Sequence, residues 1–456
     1  VLGVFELIFE RTFATIQVRR GDDTMKPKSD EEEKKPLFAK LKYHFGIKLV
    51  AFPSSDQKTT IKQNSDAARF IYNEFVALGL EGWKLRRLEK SLIQNQVSSS
   101  NPEWFTLALK AVAARLKIIG DQLYNPTQLK QRFKWLDKNK RIDSTMLYAT
   151  LNFYRASWNM FHKVHSAGIP KFHKKSDSQR YSTLKTTNNI RIADQNHLKI
   201  PKVGQIRVTK IPDWLLNRTD IEISGASVKM DAVGRYSISL TLGSDHPFKE
   251  ELPKTNSKVG IDVNVENLYI DSFGDVVENP RFYQKQKKQL QKEQRKLGKR
   301  AARAKKEHRS LRTAKNYQKQ RKVVAALHHR IYNQRHNFLH HVSTALIKNH
   351  DLVVAEKLQG KKPVKKNHAL SQRIQDVGWG ILFEDLAYKA KLYGKEFTKV
   401  DPKMTTQTCH TCGFVMGRGG TRKLTLADRI WTCPKCQTKH VRNHNAAINI
   451  LSKATV

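Results

Sequence analysis

Apolar and polar positions alternate between Leu37 and Val50, with Phe38, Leu41, Tyr43, Phe45, Ile47 and Leu49 as the apolar set, and a period near two predicts a β-strand. Pro53-Ser-Ser-Asp-Gln then supplies a turn and a helix start. From about Thr59 to Ser166 apolar residues recur at three- and four-residue spacing, as at Ala68, Phe70, Ile71, Phe75 and Leu78, which predicts helices broken at Pro102 and Pro126. After Gly168-Ile-Pro-Lys-Phe-His the pattern shortens to β-type runs at Ile190–Ala193, Leu198–Val203, Gln205–Val208, Asp220–Val228 and Tyr236–Leu242. The strand near residues 37–50 is expected to join them, with the helical block inserted between.

From Val259 the run Gly-Ile-Asp-Val-Asn-Val-Glu-Asn-Leu-Tyr-Ile-Asp-Ser-Phe-Gly-Asp-Val-Val reads as three strands joined by two hairpin steps. A basic helical hairpin is expected over 281–349, a buried-type strand at Asp351-Leu-Val-Val-Ala-Glu356, a basic loop over 357–367, a helix from Asp376 to Leu392 and a strand from Glu396 to Val400. The fold class is therefore α/β with all-β and all-α parts. No internal repeat is evident.

Charge adds a partner to this picture. Lys and Arg number 84 against 41 Asp and Glu, a net +43 over 456 residues, which points to a polyanion. Residues 281–322 alone hold 18 Lys or Arg against Glu293 and Glu307, a single-sign excess that favours phosphate contact over a solvated helix face. No apolar run reaches the eighteen residues a membrane span needs, and the opening Val1-Leu-Gly-Val-Phe-Glu-Leu-Ile-Phe lacks the features of a signal peptide, so a cytoplasmic protein with no membrane partner is expected. Residues 1–35 read as a leader, charged and flexible from Met25. With Val at the start and Met25 the first methionine, the residues before it are expected to be an extended or alternative start.

The four cysteines form a single pattern, Cys409-His-Thr-Cys412 and, after twenty residues, Cys433-Pro-Lys-Cys436. Two such pairs close a tetrahedron around one Zn²⁺, and four thiolates leave no open position for water, so this metal is expected to be structural. His410 and His440 flank the knuckles and offer the alternative of a mixed site. Asp262 and Glu356 are the second constellation. Carboxylates on neighbouring strands suit a divalent-metal site for phosphodiester hydrolysis, because Mg²⁺ takes hard oxygen ligands.

The order of these features resembles the TnpB family, transposon-encoded RNA-guided DNA endonucleases related to the compact type V CRISPR effectors. It is carried by Gly-Ile-Asp262, the basic hairpin, Val-Val-Ala-Glu356, Tyr388-Lys-Ala-Lys-Leu-Tyr-Gly, Val400-Asp-Pro, Thr406-Gln-Thr-Cys409, Trp431-Thr-Cys433 and Asn445-Ala-Ala-Ile-Asn-Ile-Leu. The match is close over 259–452 and looser over 36–258. It implies an RNase H-like RuvC domain (256–403 and 441–456) interrupted by a zinc ribbon (404–440). A β-barrel-like wedge domain (36–58 and 168–255) with an inserted helical recognition domain (59–167) would precede it.

The same resemblance implies a guide RNA, a double-stranded DNA target and catalytic Mg²⁺ held by Asp262 and Glu356. Phosphate contacts are expected from Lys202, Lys285, Lys288, Arg295, Arg300, Arg303, Lys306, Arg309, Arg312 and Arg442. Aromatic contacts are sought among Tyr43, Phe45, Phe70, Tyr72, Phe133 and Trp135, most of them expected in the core. The chain departs from the pattern in the third motif, Val441-Arg442-Asn443-His444-Asn445-Ala-Ala, where Asn443 replaces the expected catalytic Asp. An amide offers one neutral oxygen in place of a charge. Three outcomes remain open: a nuclease-impaired guided DNA binder acting like a repressor, slow cleavage with Asn443, or a substitute carboxylate among Asp376, Asp385 and Asp401. His444 is a poor Mg²⁺ ligand, and a transposase ranks lowest.

Overall fold

A computed structural model describes residues 37–96, 102–124, 126–175, 179–358 and 368–455. The expected leader, and residues 359–367 of the expected basic loop, lie outside the described residues. The chain divides into two compact units between His246 and Pro247.

In the first unit, β1 (Tyr43–Phe52) precedes the helices α1 (Ser55–Gln96), α2 (Pro102–Tyr124) and α3 (Ser144–Lys163). Six further strands follow: β2 (Arg180–Leu184), β3 (Arg191–Asp194), β4 (His197–Ile200), β5 (Gly204–Val208), β6 (Glu222–Met230) and β7 (Tyr236–Ser244). All seven form one antiparallel sheet in the order β2-β6-β7-β1-β5-β4-β3. The first strand does join the later ones, pairing with β7 from Tyr43↔Ser244 to Ala51↔Tyr236, so the helices are an insertion in the chain between β1 and β2, two strands of one sheet. Ser54 and Gln57 start α1 with a reciprocal cap, each backbone N–H donating to the other's side-chain oxygen at 3.0 and 3.3 Å.

One expectation changes here and one strand goes unanticipated. The strand begins at Tyr43, because Leu37–Lys40 is a single helical turn. Phe38 and Leu41 fold over the far end of β7, where a Cβ on Gly243 would lie 2.8 and 2.7 Å from their carbons. Strand β2 leaves no apolar pattern to read, because Tyr181 and Thr183 are its two buried side chains in an otherwise polar stretch. Of the aromatics, Phe70 packs edge-on against Phe133 and Trp135 at 4.9 and 5.5 Å, and Tyr72 stacks on His173 at 4.1 Å.

The second unit is built on a five-stranded mixed sheet. Its strands are β8 (Lys258–Val263), β9 (Asn267–Asp271), β10 (Val276–Glu278), β11 (Leu352–Glu356) and β12 (Glu396–Val400), ordered β10-β9-β8-β11-β12. The first three form an antiparallel meander, whereas β8, β11 and β12 run parallel. Strands buried on both faces read as unbroken apolar runs, which is why Val-Gly-Ile and Leu-Val-Val-Ala are legible. Helices α4 (Phe282–Lys306) and α5 (Lys315–Asn349) form the basic hairpin, with Leu290, Val324 and Leu327 as its own small core.

The single helix expected over 376–392 is two, α6 (His368–Val377) and α7 (Trp379–Leu392). Gly378 breaks them at φ 80°, a left-handed conformation only glycine takes freely. The hairpin β13 (Ile430–Thr432) and β14 (Lys439–Val441) leads directly into the last helix, α8 (Arg442–Thr455). Helix α8 lies so close on β8 that a Cβ on Gly260 would sit 2.3 Å from the Ala447 carbonyl oxygen. Among the described residues, no helix is long and apolar enough to cross a membrane.

Candidate functional site

The register of the central parallel strands brings the two carboxylates together. Ile261 of β8 pairs with Ala355 of β11, so Asp262 and Glu356 follow side by side at the strand ends. Both carboxyls are lifted above their ordinary values. Burial raises Asp262 to about 7, with the like charge of Glu356 adding to the rise and the Arg442 guanidinium opposing it. Burial also raises Glu356, aided by Asp401 and opposed by a hydrogen bond from the Thr405 hydroxyl and by the Lys453 ammonium. Two anions destabilised by burial and mutual repulsion favour a bound cation, and four carboxylate oxygens are hard donors.

Helix α8 brings the third motif to the same sheet. Asn443 is half-buried in its first turn, and its side-chain oxygen accepts from Arg442 Nε at 3.3 Å. His444 faces the Ser272 carbonyl oxygen at 3.2 Å instead of joining the carboxylates. Arg442, expected among the phosphate contacts, is a correction: it is only 7% exposed and donates to the Thr425 carbonyl oxygen at 2.6 Å. A guanidinium at the strand-to-helix junction turns inward because a buried carbonyl and the Asp262 charge are both there to receive it.

The three substitute carboxylates separate cleanly. Asp376 is buried and holds the start of α4, accepting from Tyr283 N at 2.9 Å and Gln284 N at 3.3 Å, with Arg335 paired to it at 2.8 Å. Asp385 lines a different cleft, with Asn333, His336, Asn337 and His340. Only Asp401 acts on Glu356, from one residue beyond the Glu356↔Val400 pair.

The four cysteine sulfurs all lie within 4.8 Å of one another, with Cys409 and Cys436 at 3.7 Å and Cys412 and Cys433 at 3.6 Å. Leu424, Trp431, Phe414 and Met416 pack around them. The Thr438 side chain and amide pull the Cys436 thiol down to about 6. This donor set fits one tetrahedral zinc ion and no water. Of the flanking histidines, His440 Nε2 lies 3.1 Å from Cys409 Sγ, whereas His410 Nδ1 faces Asn445 Oδ1 at 3.0 Å.

The basic hairpin presents its charge outward. Lys285, Lys288, Arg295, Arg303, Lys306, Arg309 and Arg312 are exposed, and Arg300 is half-buried with a bond to the Asn316 carbonyl oxygen at 2.9 Å. Glu307 pairs with both Arg303 and Arg309, leaving most of the surplus unmatched. In the first unit, Lys202 is exposed on the turn between β4 and β5.

With this geometry in place, two families match the chain. One described as "Cas12f1-like, TNB domain" covers residues 379–450, including all four cysteines and Asn443. Another described as "Probable transposase" covers residues 237–367, including Asp262 and Glu356. A protein of Streptomyces pristinaespiralis named as a candidate RNA-guided DNA endonuclease is 34% identical over 51% of this chain and 53% of its own length. The similarly named InsQ of Escherichia coli K12 is 26% identical over 80% of this chain and 83% of its own. A mimivirus protein named TnpB-like protein L79 is 27% identical over 30% of this chain and 26% of its own. In sequence this chain is similar to proteins named as TnpB-like or as candidate RNA-guided DNA endonucleases. A solved Cas12f1–sgRNA–target DNA complex overlays 90% of this chain and 98% of that one at TM-score 0.47 and 14% identity, a loose likeness. Sequence reasoning missed Thr405, whose hydroxyl reaches Glu356. The available signal was its place four residues before the first cysteine, on a chain that must pass the end of β11.

Proposed function

We propose that this chain is an RNA-guided DNA-targeting protein of the TnpB type, and that its second unit hydrolyses the phosphodiesters of the guided DNA target. The adjacent, half-buried Asp262 and Glu356 carry the reading, because both are held above their ordinary pKa where a divalent cation would relieve them. Asp262 and Glu356 would hold Mg²⁺, with Asn443 in the third ligand position. Bound there, the metal would supply charge stabilisation at the phosphate and an acidified water. Zinc would hold the four cysteines closed, and the outward face of α4 would track nucleic-acid backbone while base pairing selects sequence.

In this reading the strands of the first unit are the wedge domain and residues 59–167 the recognition domain. Residues 256–403 and 441–456 are the RuvC-like domain around the ribbon, 404–440. Its partners are a guide RNA and double-stranded DNA, and it works in the cytoplasm.

A second reading, guided binding without cleavage, is favoured by one observation. Asn443 removes a negative charge where Arg442 already places a positive one. The test is to express the chain with RNA from its flanking transposon end and to measure binding and Mg²⁺-dependent cutting of matched DNA. Cutting abolished by Asp262→Ala supports the nuclease. Guided binding without cutting, restored to cutting by Asn443→Asp, selects the binder. RNA that fails to co-purify overturns both.

A further inference from the structure

We propose that Thr405 is the positioning residue of Glu356 and that the zinc ribbon holds it in place, so that zinc at the four cysteines sets divalent-metal affinity at Asp262 and Glu356. The proposal rests on the reading of those carboxylates as a metal site. Thr405 is 1% exposed, and its hydroxyl meets two acceptors, a Glu356 carboxylate oxygen and the Pro402 carbonyl oxygen at 3.1 Å. A hydroxyl has one proton, and an ionised carboxylate takes it in preference to a neutral carbonyl. That bond fixes one Glu356 oxygen and leaves the rest of the carboxylate for a ligand.

Thr405 cannot hold itself there. It lies on the short connection between β12 and the first cysteine knuckle, where Met404 adopts a left-handed φ of 66°. Two asparagines one turn apart on α8 pin this connection from one side. Asn449 Nδ2 donates to the carbonyl oxygens of Thr405 and Thr408 at 2.9 and 2.7 Å, and Asn445 Nδ2 donates to that of Thr408 at 2.8 Å. The Asn445 oxygen in turn accepts from His410 N at 3.0 Å, inside the knuckle. From the other side the anchor is Cys409 itself, the residue after Thr408, whose sulfur is one of the four. Without zinc that anchor is four mutually close thiols held only by weak contacts such as that of Cys409 Sγ with His440 Nε2 at 3.1 Å. The knuckle then loosens, and Thr405 with it. Groups that orient a metal ligand cost about 10- to 100-fold in metal affinity when removed.

The test uses the full chain and Mn²⁺ as probe, followed by electron paramagnetic resonance, with Asp262→Asn identifying the site. In zinc-loaded protein, Thr405→Val is expected to weaken the Asp262-dependent Mn²⁺ site about 10-fold, and Thr405→Ser to restore it. The absorption of Co²⁺ placed in the ribbon should be the same in all three proteins, showing the cysteines undisturbed. Stripping zinc should weaken wild-type Mn²⁺ binding as much as Thr405→Val does, with little further loss when the two are combined. Equal Mn²⁺ affinity in wild type and Thr405→Val overturns the positioning role and leaves the nuclease reading standing. A wild type with no Asp262-dependent Mn²⁺ site overturns that reading and this inference together.

Discussion

Asp262→Asn should stabilise the metal-free protein, and the gain should depend on pH in a defined sense. An aspartate ordinarily titrates near 3.9, and burial beside Glu356 lifts this one to about 7. Between about pH 4 and pH 7 the folded state therefore keeps a proton that the unfolded chain has lost. Stability falls as pH rises through that window, with no penalty below it and the full penalty above. A lift of that size corresponds to at most about 4 kcal/mol, and side-chain relaxation and water reduce it. Asparagine keeps the shape and is neutral throughout. Its advantage should be near zero at pH 4 and should reach about 2–4 kcal/mol at pH 8, or roughly 5–15 °C in the melting of a unit this size. Calorimetry in magnesium-free buffer with zinc retained reads it. Adding Mg²⁺ at pH 8 should raise the wild type and not the variant. An equal gain at pH 4 and pH 8 would refute the claim that a strained charge is the cause.

Other perturbations separate the parts of the molecule. Gly260→Ala forces a Cβ against the Ala447 carbonyl oxygen at 2.3 Å, so it should cost about 1–3 kcal/mol in chemical denaturation of the second unit. Cys433→Ser, or removal of zinc, should expose Trp431, which packs on the cysteines at 6% exposure, and shift its emission to the red; unchanged emission would mean the ribbon closes without metal. Reversing Lys288 and Arg295 to Glu should weaken nucleic-acid binding for every sequence alike and lower the salt slope by about 1 for each phosphate no longer neutralised. A sequence-selective loss would contradict backbone contact.

Much of the molecule is legible locally, and what is not depends on distant partners. The parallel strands carrying Asp262 and Glu356 are buried on both faces, so their apolar runs stand out from the surrounding pattern. Cysteine spacing reveals the ribbon for the same reason, since two tight knuckles leave a local record. Asp376 shows the limit: its partners Tyr283 and Gln284 lie more than ninety residues away and share no pattern with it. Arg442 belongs to the same class. Lysine and arginine side chains are mostly solvated, and only the junction of β14 with α8 turns this one inward.

Arg442 also changes what Asn443 means. A carboxylate at position 443 would supply an anion and pair the adjacent guanidinium, masking its charge. The amide does neither: it accepts a single bond from Arg442 Nε, and that guanidinium's field acts on Asp262. The field makes the Asp262 anion easier to hold and a dication beside it harder to hold, because repulsion between the guanidinium and a dication doubles with the ion's charge. In the proposed metal site Asn443 therefore differs from an Asp in two ways, lacking one negative charge and leaving the Arg442 charge unpaired by a carboxylate. Asn443→Asp reverses both effects, whereas Arg442→Gln reverses only the second. If repulsion by Arg442 weakens the proposed metal site substantially, the glutamine variant alone should tighten Mn²⁺ binding in the Asn443 background and do little once Asp is present. That non-additivity distinguishes a site weakened by its neighbour from one that merely lacks a ligand.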